Sequence, residues 1–392
     1  MFTTTVGELR GALATAGIAQ DRSPHTPTLA GVLLDTRSGA LTITGCNYQA
    51  AITVALPQAD VDTEERVVVD HLALSKLLSA VTKQMPKRTA EAKPVSLTVD
   101  DGKALISAAG YTVPSLTLPV EDYPNLPTPA PPTVWVDRRQ FTTELARVLV
   151  TTSTDHSLPV LTGVWTEVDS HSLTMAATDR YRIARTHLPT TTGTTGPVVT
   201  GVLPGQILDK TTRRFTHDTI GIGATQSEPE HGLGSLAWVT LTCGNVALSL
   251  HLIDDEFPEL LDKFPATFAT TVTADRTELA TLVERAAAIN TAHGHRRLPV
   301  RLSVAESSVT VTPDEATLTP HIPAKTTGVG ADKAGIQVAF NPNYLSDALE
   351  TIPGDTVTLH INKPTTPVVI TTGAAQHDDP TTYRHLLAPV RL

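Results

Sequence analysis

Three stretches of the chain open with apolar residues three or four positions apart, the spacing of one buried helix face. A second pattern of the same kind follows later in each stretch, so the sequence predicts six helices in three pairs. The apolar positions are Val6, Leu9, Leu13 and Ile18, then Leu72, Leu74, Leu77 and Leu78, in the first stretch; Phe141, Leu145, Val148 and Leu149, then Ile207, Leu208 and Phe215, in the second; and Leu279, Leu282, Val283 and Ala287, then Tyr344, Leu345, Leu349 and Ile352, in the third.

Short apolar or alternating segments lie between and after these helices, which is typical of strands. The equivalent residues Leu33, Val164 and Leu302 lie 131 and 138 positions apart, close to a third of the 392 residues. Three copies of one unit, each with two helices and several strands, account for this spacing. Repetition on this scale favours a ring or an array over a single catalytic cleft. The predicted strands cover 31–36, 41–45 and 95–99, then 163–168, 173–177 and 238–242, then 300–305, 309–313 and 356–360.

Proline marks the borders between the units. Residues 124–133, PNLPTPAPPT, can continue neither a helix nor a central strand, and a second proline-containing segment lies at 264–272. The polar, glycine-containing segment 227–235 is expected to be an exposed loop. We therefore expect domains at 1–127, 133–264 and 265–392.

Composition indicates a folded chain of acidic balance. Hydrophobic residues make up 40 % and charged residues 18 %, and 30 Lys and Arg against 40 Asp and Glu give a formal charge of −10. This balance argues against a protein coated in positive charge, although a local basic surface stays open. Cys46 and Cys243 lack the spacing of a metal site or a disulfide framework. Neither a signal peptide nor an apolar membrane span is visible, so we expect a soluble, cytoplasmic protein.

Signs of catalysis are weak. His293 and His295 lack neighbouring carboxylates or cysteines, and the acidic run 254–256 is more typical of a solvated turn than of a metal site. Gly221 and Gly223 lack the third glycine and the lysine of a phosphate-binding loop. Neither GxSxG nor HExxH occurs. A hydrolase or nucleotide-binding enzyme is the minority hypothesis, and we expect no cofactor and no metal.

Several longer motifs resemble a known family. LPVLTGVW at 158–165, MAATDRYRIA at 175–184, FPELLDKFP at 257–265 and YRHLLAPVRL at 383–392 resemble the bacterial DNA polymerase III β subunit, or β sliding clamp, of actinobacterial type. TLPVEDYPNLP at 117–127 and FNPNYLSDAL at 340–349 match the same family. The resemblance implies an α+β fold of three repeated clamp domains, each with two helices on antiparallel sheets. It also implies a head-to-tail homodimer, whose six domains form a ring around duplex DNA, and a non-catalytic processivity factor.

Charge is distributed in a way that fits such a ring. The six segments expected to line its opening (6–17, 71–88, 137–149, 205–217, 275–290 and 342–352) carry a net +4, which leaves −14 for the rest of the chain. Solvated helix faces would give the same numbers, so that alternative stays open. Ser23, His71, Gly205 and Gln206 stand where family clamps often carry basic residues, so DNA contact is expected to be weaker or rearranged. The candidate DNA-binding residues are Arg10, Arg22, Lys76, Lys83, Arg139, Arg147, Lys210, Arg213 and Arg214.

The resemblance also implies a groove for short partner peptides, shared by the polymerase α subunit, the clamp loader and repair proteins. Apolar walls with a few oriented polar groups suit such a groove. Lys263 stands where the family usually has an apolar residue, which is expected to change affinity for partner peptides and to weaken binding of a clamp-directed cyclic peptide. The expected groove residues are Leu161, Thr178, Arg180, Tyr181, Arg182, Ile183, Pro258, Lys263, Leu386, Leu387, Pro389, Val390 and Arg391.

For the dimer interface, the resemblance implies Val113 and Ser115 in the first domain of one subunit against Ala288 and Ile289 in the third domain of the other. The main hypothesis is a sliding clamp. The alternative keeps the fold and makes the chain a specialised second clamp copy, whose altered groove gives resistance to a clamp-targeting cyclic peptide antibiotic.

Overall fold

The structure is a computed structural model. It describes residues 1–20, 26–100, 103–126, 128–192, 199–226, 237–259, 263–265, 267–294, 298–313, 319–328, 335–373 and 383–391. Arg22, Ser23, His295 and the segment 227–235 lie outside these residues. The described α-helices are α1 (Val6–Ala16), α2 (His71–Val81), α3 (Lys87–Glu91), α4 (Arg138–Leu149), α5 (Gly205–Thr212), α6 (Arg276–Ala292) and α7 (Pro342–Thr351).

Polar side chains fix where the main helices begin. Thr5 and Glu8 form a reciprocal capping box at the start of α1. Asp70, Asp137 and Asp275 each accept a hydrogen bond from the third backbone N–H of α2, α4 and α6. These caps explain why α1, α2, α4 and α6 start close to their predicted apolar patterns.

Three predicted helix extents were wrong at the C-terminal end. Ile18 lies in a short 3₁₀ helix after α1, and Phe215 lies beyond the end of α5 while remaining buried. The segment 71–88 is not one helix, because α2 ends at Val81, Gln84 has a left-handed φ of 64° and Pro86 precedes the separate α3. Lys83 therefore lies in a turn.

Many of the described strands pair with the strand that comes next in the sequence, and the pairing is antiparallel. They are β1 (Phe2–Thr5), β2 (Gly31–Asp35), β3 (Leu41–Cys46), β4 (Ala50–Leu56), β5 (Asp60–Val61), β6 (Arg66–Asp70), β7 (Pro94–Asp100), β8 (Lys103–Ala108), β9 (Tyr111–Ser115), β10 (Thr117–Leu118), β11 (Val134–Asp137), β12 (Gly163–Val168), β13 (Ser172–Thr178), β14 (Arg182–Pro189), β15 (Thr191–Thr192), β16 (Val199–Pro204), β17 (Thr219–Gln226), β18 (Ala237–Cys243), β19 (Val246–His251), β20 (Thr270–Asp275), β21 (Val300–Val304), β22 (Ser308–Thr312), β23 (His321–Gly328), β24 (Ile336–Phe340), β25 (Thr356–Ile361), β26 (Val368–Thr372) and β27 (Arg384–Leu387).

The three units are joined edge to edge by their sheets. A ten-stranded sheet crosses from the first unit to the second where β4 pairs with β19, and a twelve-stranded sheet crosses from the second to the third where β14 pairs with β27. A five-stranded sheet of the first unit ends in β9, which is an edge strand. The three-domain α+β architecture expected from the repeats is confirmed, and its two internal joints are continuous sheets.

Helices of each unit pack on the sheets through fully buried side chains. Phe2, Phe141 and Phe340 are among the largest of these and belong to one core cluster that runs through all three units. Burying an aromatic or aliphatic side chain of this size stabilises the fold by about 1.5–3 kcal/mol. This common core holds the strands of the three units together, and the turns at the joints connect those strands.

Candidate peptide groove, DNA-facing surface and ring interface

A tight turn between β13 and β14 lies at the joint of the second and third domains. Thr178 closes it, because its hydroxyl donates to the Arg182 carbonyl at 2.8 Å and accepts from the Arg180 N–H at 3.1 Å. Arg180 has a left-handed φ of 80° and is exposed. The turn consequently presents Arg180 and Tyr181 to solvent, with the Tyr181 ring 58 % exposed.

Arg182 ties this turn to the third domain. Its buried guanidinium donates from Nε to Asp179 Oδ2 at 2.8 Å and from Nη1 to Asp347 Oδ2 at 2.5 Å. It also lies over the Tyr344 ring, 4.3 Å from the centroid, and Tyr344 packs against Tyr181 at 6.1 Å between centroids. Burial raises the pKa of the Tyr344 phenol, and the nearby Asp179 acts in the same direction. Arg182 is thus a positioning residue for the aromatic surface of Tyr181 and Tyr344.

An apolar patch adjoins the turn. Ile183 pairs with Leu386 across the β14–β27 joint, and both are buried in one cluster with Val369. Phe264 and Phe268 are half-buried against that cluster. Leu387, directly opposite Arg182, is fully buried in the main core.

The chain tail extends this patch. The Ala388 N–H donates to the Tyr181 carbonyl and the Val390 N–H donates to the Ala339 carbonyl, each at 2.8 Å. Pro389 is half-buried, Val390 is 38 % exposed and Arg391 is exposed. One backbone hydrogen bond therefore joins the tail to the turn of the second domain, and the other joins it to β24 of the third domain.

The remaining predicted groove residues lie in a neighbouring cluster or at the surface. Leu161 is buried with Val160 and Val202, and Phe257 stacks on Trp165 nearby at 6.2 Å between centroids. Pro258 and Lys263 are exposed. Lys263 directly precedes Phe264 and is exposed, so it does not belong to the buried part of the apolar patch.

Buried polar side chains form a hydrogen-bonded group at the joint of the second and third domains. The Tyr383 hydroxyl lies 2.9 Å from Thr351 Oγ1, 3.2 Å from the Arg147 carbonyl and 3.1 Å from His385 Nδ1. Burial, with a smaller contribution from Arg182, lowers the pKa of the fully buried His385 to about 3. This imidazole is therefore neutral at physiological pH.

The candidate DNA-binding residues fall into three groups. Arg10 and Arg147 are half-buried and already bound within the protein: Arg10 Nη2 donates to the Leu78 carbonyl and to Thr82 Oγ1, both at 2.6 Å, and Arg147 pairs with Glu144. Arg213 is exposed and pairs with Asp209 at 2.8 Å. The others in the described part of the chain are exposed cations on or beside helices: Lys76, Lys83, Arg139, Lys210 and Arg214.

The expected ring interface residues lie on two separate surfaces. Val113 is half-buried on the edge strand β9 and Ser115 is buried at its end, while Ala288 and Ile289 are exposed on α6. Sequence reasoning missed Tyr111 and Leu116, each 63 % exposed on or next to β9. The available signal was a pair of large apolar residues, one at the start of β9 and one directly after it, in a strand without regular alternation of apolar and polar residues.

Sequence reasoning also missed Asp347 and the roles of Tyr344 and Tyr383. Tyr344 and Tyr383 were visible in the matched motifs, but only the fold brings Tyr344 beside Arg182. None of the helices in the described part of the chain combines the length and apolar character needed to cross a lipid bilayer. Within the same residues, His, Cys, Asp and Glu nowhere gather in a group of three able to hold a metal ion.

Three repeated domains joined through continuous sheets, with an apolar patch at one joint, define a clamp-type protein. Family models for the DNA polymerase III β subunit match its N-terminal domain at 2–127, its central domain at 136–259 and its C-terminal domain at 262–387. The chain belongs to the DNA polymerase III β-subunit family.

Named relatives and a solved structure agree with this assignment. The chain is 26 % identical to the beta sliding clamp of Streptomyces coelicolor over 389 residues, which covers 98 % of this chain and 97 % of that protein. It is 24 % identical to the beta sliding clamp homolog GriR of Streptomyces muensis over 375 residues, covering 94 % and 93 %. The crystal structure of the DNA polymerase III subunit beta from Pseudomonas aeruginosa has the same fold, with a TM-score of 0.82 at 19 % identity and full coverage of both chains.

Proposed function

We propose that this protein is a DNA sliding clamp, a non-catalytic cytoplasmic processivity factor that acts as a head-to-tail homodimer around duplex DNA. The observation that carries the proposal is the repeated joint. In both internal joints the fourth strand of one domain's sheet, β4 or β14, pairs with the last strand of the next domain's sheet, β19 or β27. Repeating the same step would pair β9 of a second copy with the fourth strand of the third domain, β23, along His321–Pro323, where β23 pairs with β22, because from Ala324 onward β23 already pairs with β20 as well. In the first domain, β9 has the place that β19 and β27 have in the others.

Exposed apolar side chains support this contact between copies. Tyr111 and Leu116 flank β9, and Ile289 of α6 is 42 % exposed. An unpaired strand edge with neighbouring apolar side chains is a ready template for pairing with another chain. We therefore assign Val113 and Ser115 of one subunit, and Ala288 and Ile289 of the other, to the ring interface.

DNA would be held by topology and by weak phosphate contacts. Lys76, Lys83, Arg139, Lys210 and Arg214 belong to the first and second domains and are exposed. The exposed acids Glu278, Glu284 and Glu350 give the helices of the third domain the opposite balance. Contact through a few lysines and arginines is sequence-independent and falls steeply with salt.

Partner proteins would dock at the joint of the second and third domains. Half-buried Phe264 and Phe268 and the 38 % exposed Val390 supply apolar surface over the buried Ile183 and Leu386. Arg180, Tyr181 and Arg391 supply exposed polar groups at its edge. A short peptide that buries aliphatic and aromatic side chains suits this arrangement. The DNA polymerase III α subunit, the clamp loader and other proteins with a clamp-binding motif are the proposed partners.

Retention on circular DNA tests the clamp proposal. Loaded by a clamp loader onto nicked circular DNA, the protein should remain bound after a high-salt wash and be lost once the circle is linearised. Equal retention on linear and circular DNA, or none on either, contradicts the proposal. Sedimentation at micromolar concentration should give twice 41.6 kDa, and a monomer at every concentration removes the closed ring.

Lys263 favours a second candidate, a specialised clamp copy that tolerates a clamp-targeting cyclic peptide antibiotic. Lys263 is exposed and directly precedes Phe264, which is half-buried at the rim of the apolar patch. Bringing an apolar ligand over this rim either desolvates the charge or displaces the lysine stem. Lys263→Leu should bind a clamp-directed cyclic peptide more tightly than the unaltered chain, with exposed Lys87→Leu as the matched control. Equal affinities of Lys263→Leu and the unaltered chain eliminate a role for Lys263.

A further inference from the structure

A cleft of about 720 Å³ lies at the joint of the first and second domains. Tyr48 and Gln49 of the β3–β4 turn form one side, and the start of α5 forms the opposite side with Gln206 and Ile207. The remaining lining includes His156 and Pro159 and the segment 251–254, which begins at the last residue of β19. This volume is within the range of sites that bury a small ligand or a few peptide residues.

The cleft occupies the position in the first joint that the candidate peptide groove occupies in the second. The His251 N–H donates to the Gln49 carbonyl at 2.8 Å, as the Ala388 N–H does to the Tyr181 carbonyl at 2.8 Å. The Ile253 N–H donates to the Val202 carbonyl, again at 2.8 Å, which matches the bond from Val390. Both turns also contain a non-glycine residue in the left-handed region, Tyr48 at φ 66° and Arg180 at φ 80°.

Different side chains explain why the first joint has a cleft at the place where an arginine side chain crosses the second joint. Arg182 lies opposite Leu387 and crosses to Asp347, whereas its strand equivalent Ala50, opposite Leu250, has no side chain that could cross. Ile207 is the third residue of α5, the position that Tyr344 has in α7. An ion pair and an aromatic contact at the second joint are thereby replaced by a methyl group and an aliphatic side chain at the first.

The lining combines apolar surface with an acidic rim. Tyr48 is 57 % exposed, and Ile207, Leu252 and Ile253 are half-buried in the wall. Asp254 lines the cleft, and the exposed Asp255 and Glu256 follow it directly. Among the described residues, none of these three carboxylates forms an ion pair. His156 and His251 also line the cleft, and Asp254 is its acidic lining residue.

We propose that this cleft is a second docking site, whose occupant is a short basic peptide segment of a partner protein with an aliphatic or aromatic side chain next to Lys or Arg. The apolar side chain would pack against Ile207, Ile253 and the Tyr48 ring. The cation would face Asp254, and complementary charge at a rim improves selection and encounter of a partner. The inference rests on the geometry of the first joint and not on encirclement of DNA.

A tetrapeptide probe tests the site on the full chain. Acetyl-Lys-Leu-Phe-Lys-amide is titrated into the protein with methyl-labelled Ile and Leu, and the methyl signals of Ile207, Leu252 and Ile253 should shift in a saturable way. Asp254→Lys should weaken that binding about tenfold. The matched control Glu167→Lys, an exposed acid on β12 outside the cleft, should leave it unchanged. Gln206→Trp, at an exposed cleft position, should block the cleft without altering the core.

Several results would overturn the proposal. Shifts confined to Ile183 and Leu386 would mean that the probe uses the second joint only. Equal affinity for acetyl-Glu-Leu-Phe-Glu-amide would exclude recognition of a basic segment. Cleft shifts that appear with rising protein concentration in the absence of probe would show that a second copy of this chain is the occupant.

Discussion

Arg182 and Asp347, 165 positions apart in sequence, are joined by a 2.5 Å hydrogen bond from Nη1 to Oδ2 across the boundary of the second and third domains. The same guanidinium holds Asp179 and lies over Tyr344. One side chain therefore fixes the turn, the helix and the aromatic surface of the candidate groove.

Replacing Arg182 should destabilise the joint more than replacing its partner. Arg182→Met leaves the Asp179 carboxylate without its counter-ion in a largely buried place, and the expected loss is about 2–3 kcal/mol. Asp347→Asn should cost only about 0.5–1 kcal/mol, because the Asp347 side chain is 41 % exposed. Thermal and urea unfolding measure both. Lys87→Met, which removes an exposed pair with Glu91, serves as the control, and an equal effect of all three would contradict this ranking.

Two glycines of the first domain should respond in opposite directions to alanine. A Cβ on Gly45 would lie 2.2 Å from the Ala16 carbonyl oxygen, so Gly45→Ala must push β3 away from α1 and should destabilise by about 2 kcal/mol or more. Gly11 is exposed within α1 with nothing within 4 Å of an added Cβ, so Gly11→Ala should stabilise by about 0.5–1 kcal/mol. Unfolding curves of the two variants test this prediction. A change of the free energy of unfolding in the same direction in both variants would be inconsistent with the packing described.

Stability should fall as pH drops through the ordinary titration range of histidine. The pKa of His385 is lowered to about 3 in the folded protein, so between the ordinary value near 6.5 and pH 3 the unfolded state binds a proton that the folded state does not. The stability contributed by neutral His385 is complete above about pH 6.5, and its loss approaches about 1.4 kcal/mol per pH unit below that.

The control for this titration is a histidine at the surface. His385→Gln should flatten the pH dependence of the melting temperature between pH 5 and 7, whereas His217→Gln, at an exposed position, should leave it unchanged. Identical pH profiles for the unaltered chain and His385→Gln would show that this imidazole is not the group responsible.

Exposed basic residues should contribute to DNA binding, whereas an arginine that is hydrogen-bonded within the protein should not. Arg139→Ala and Lys210→Ala should each reduce the slope of log affinity against log salt by about 0.9 if they contact one phosphate. Arg10→Ala should leave the slope unchanged and lower stability by about 1–2 kcal/mol, because Arg10 is bound to the Leu78 carbonyl and Thr82. Salt titrations of DNA binding, together with melting curves, separate the two classes. A reduced slope in Arg10→Ala alone would reverse the assignment.

Local chemistry explains which parts of the fold were predictable. Helix starts follow from Thr5, Asp137 and Asp275, since a cap and an apolar pattern coincide there. The end of α2 was misjudged because the basic residues Lys83, Lys87 and Arg88 were counted with the helix, although Pro86 stands between them. The left-handed turn at Gln84 is a tertiary outcome that periodicity does not reveal.

The site was predictable only as a set of motifs. Resemblance singled out Arg182 and Ile183, but the pairing of Arg182 with Asp347 links two elements that no local spacing relates. The cleft at the first joint was missed because Tyr48, Gln206 and Ile253 come from three distant segments. Their common position becomes visible only when the two joints are compared bond by bond.

Strand pairing across both internal joints has a mechanical consequence. Separating the domains at either joint would break backbone hydrogen bonds between β4 and β19 or between β14 and β27, so both joints resist opening. Each subunit should move as one stiff body. In the proposed ring of two such bodies, strain would concentrate where β9 meets the neighbouring copy. A clamp loader would therefore have to open the ring at that interface.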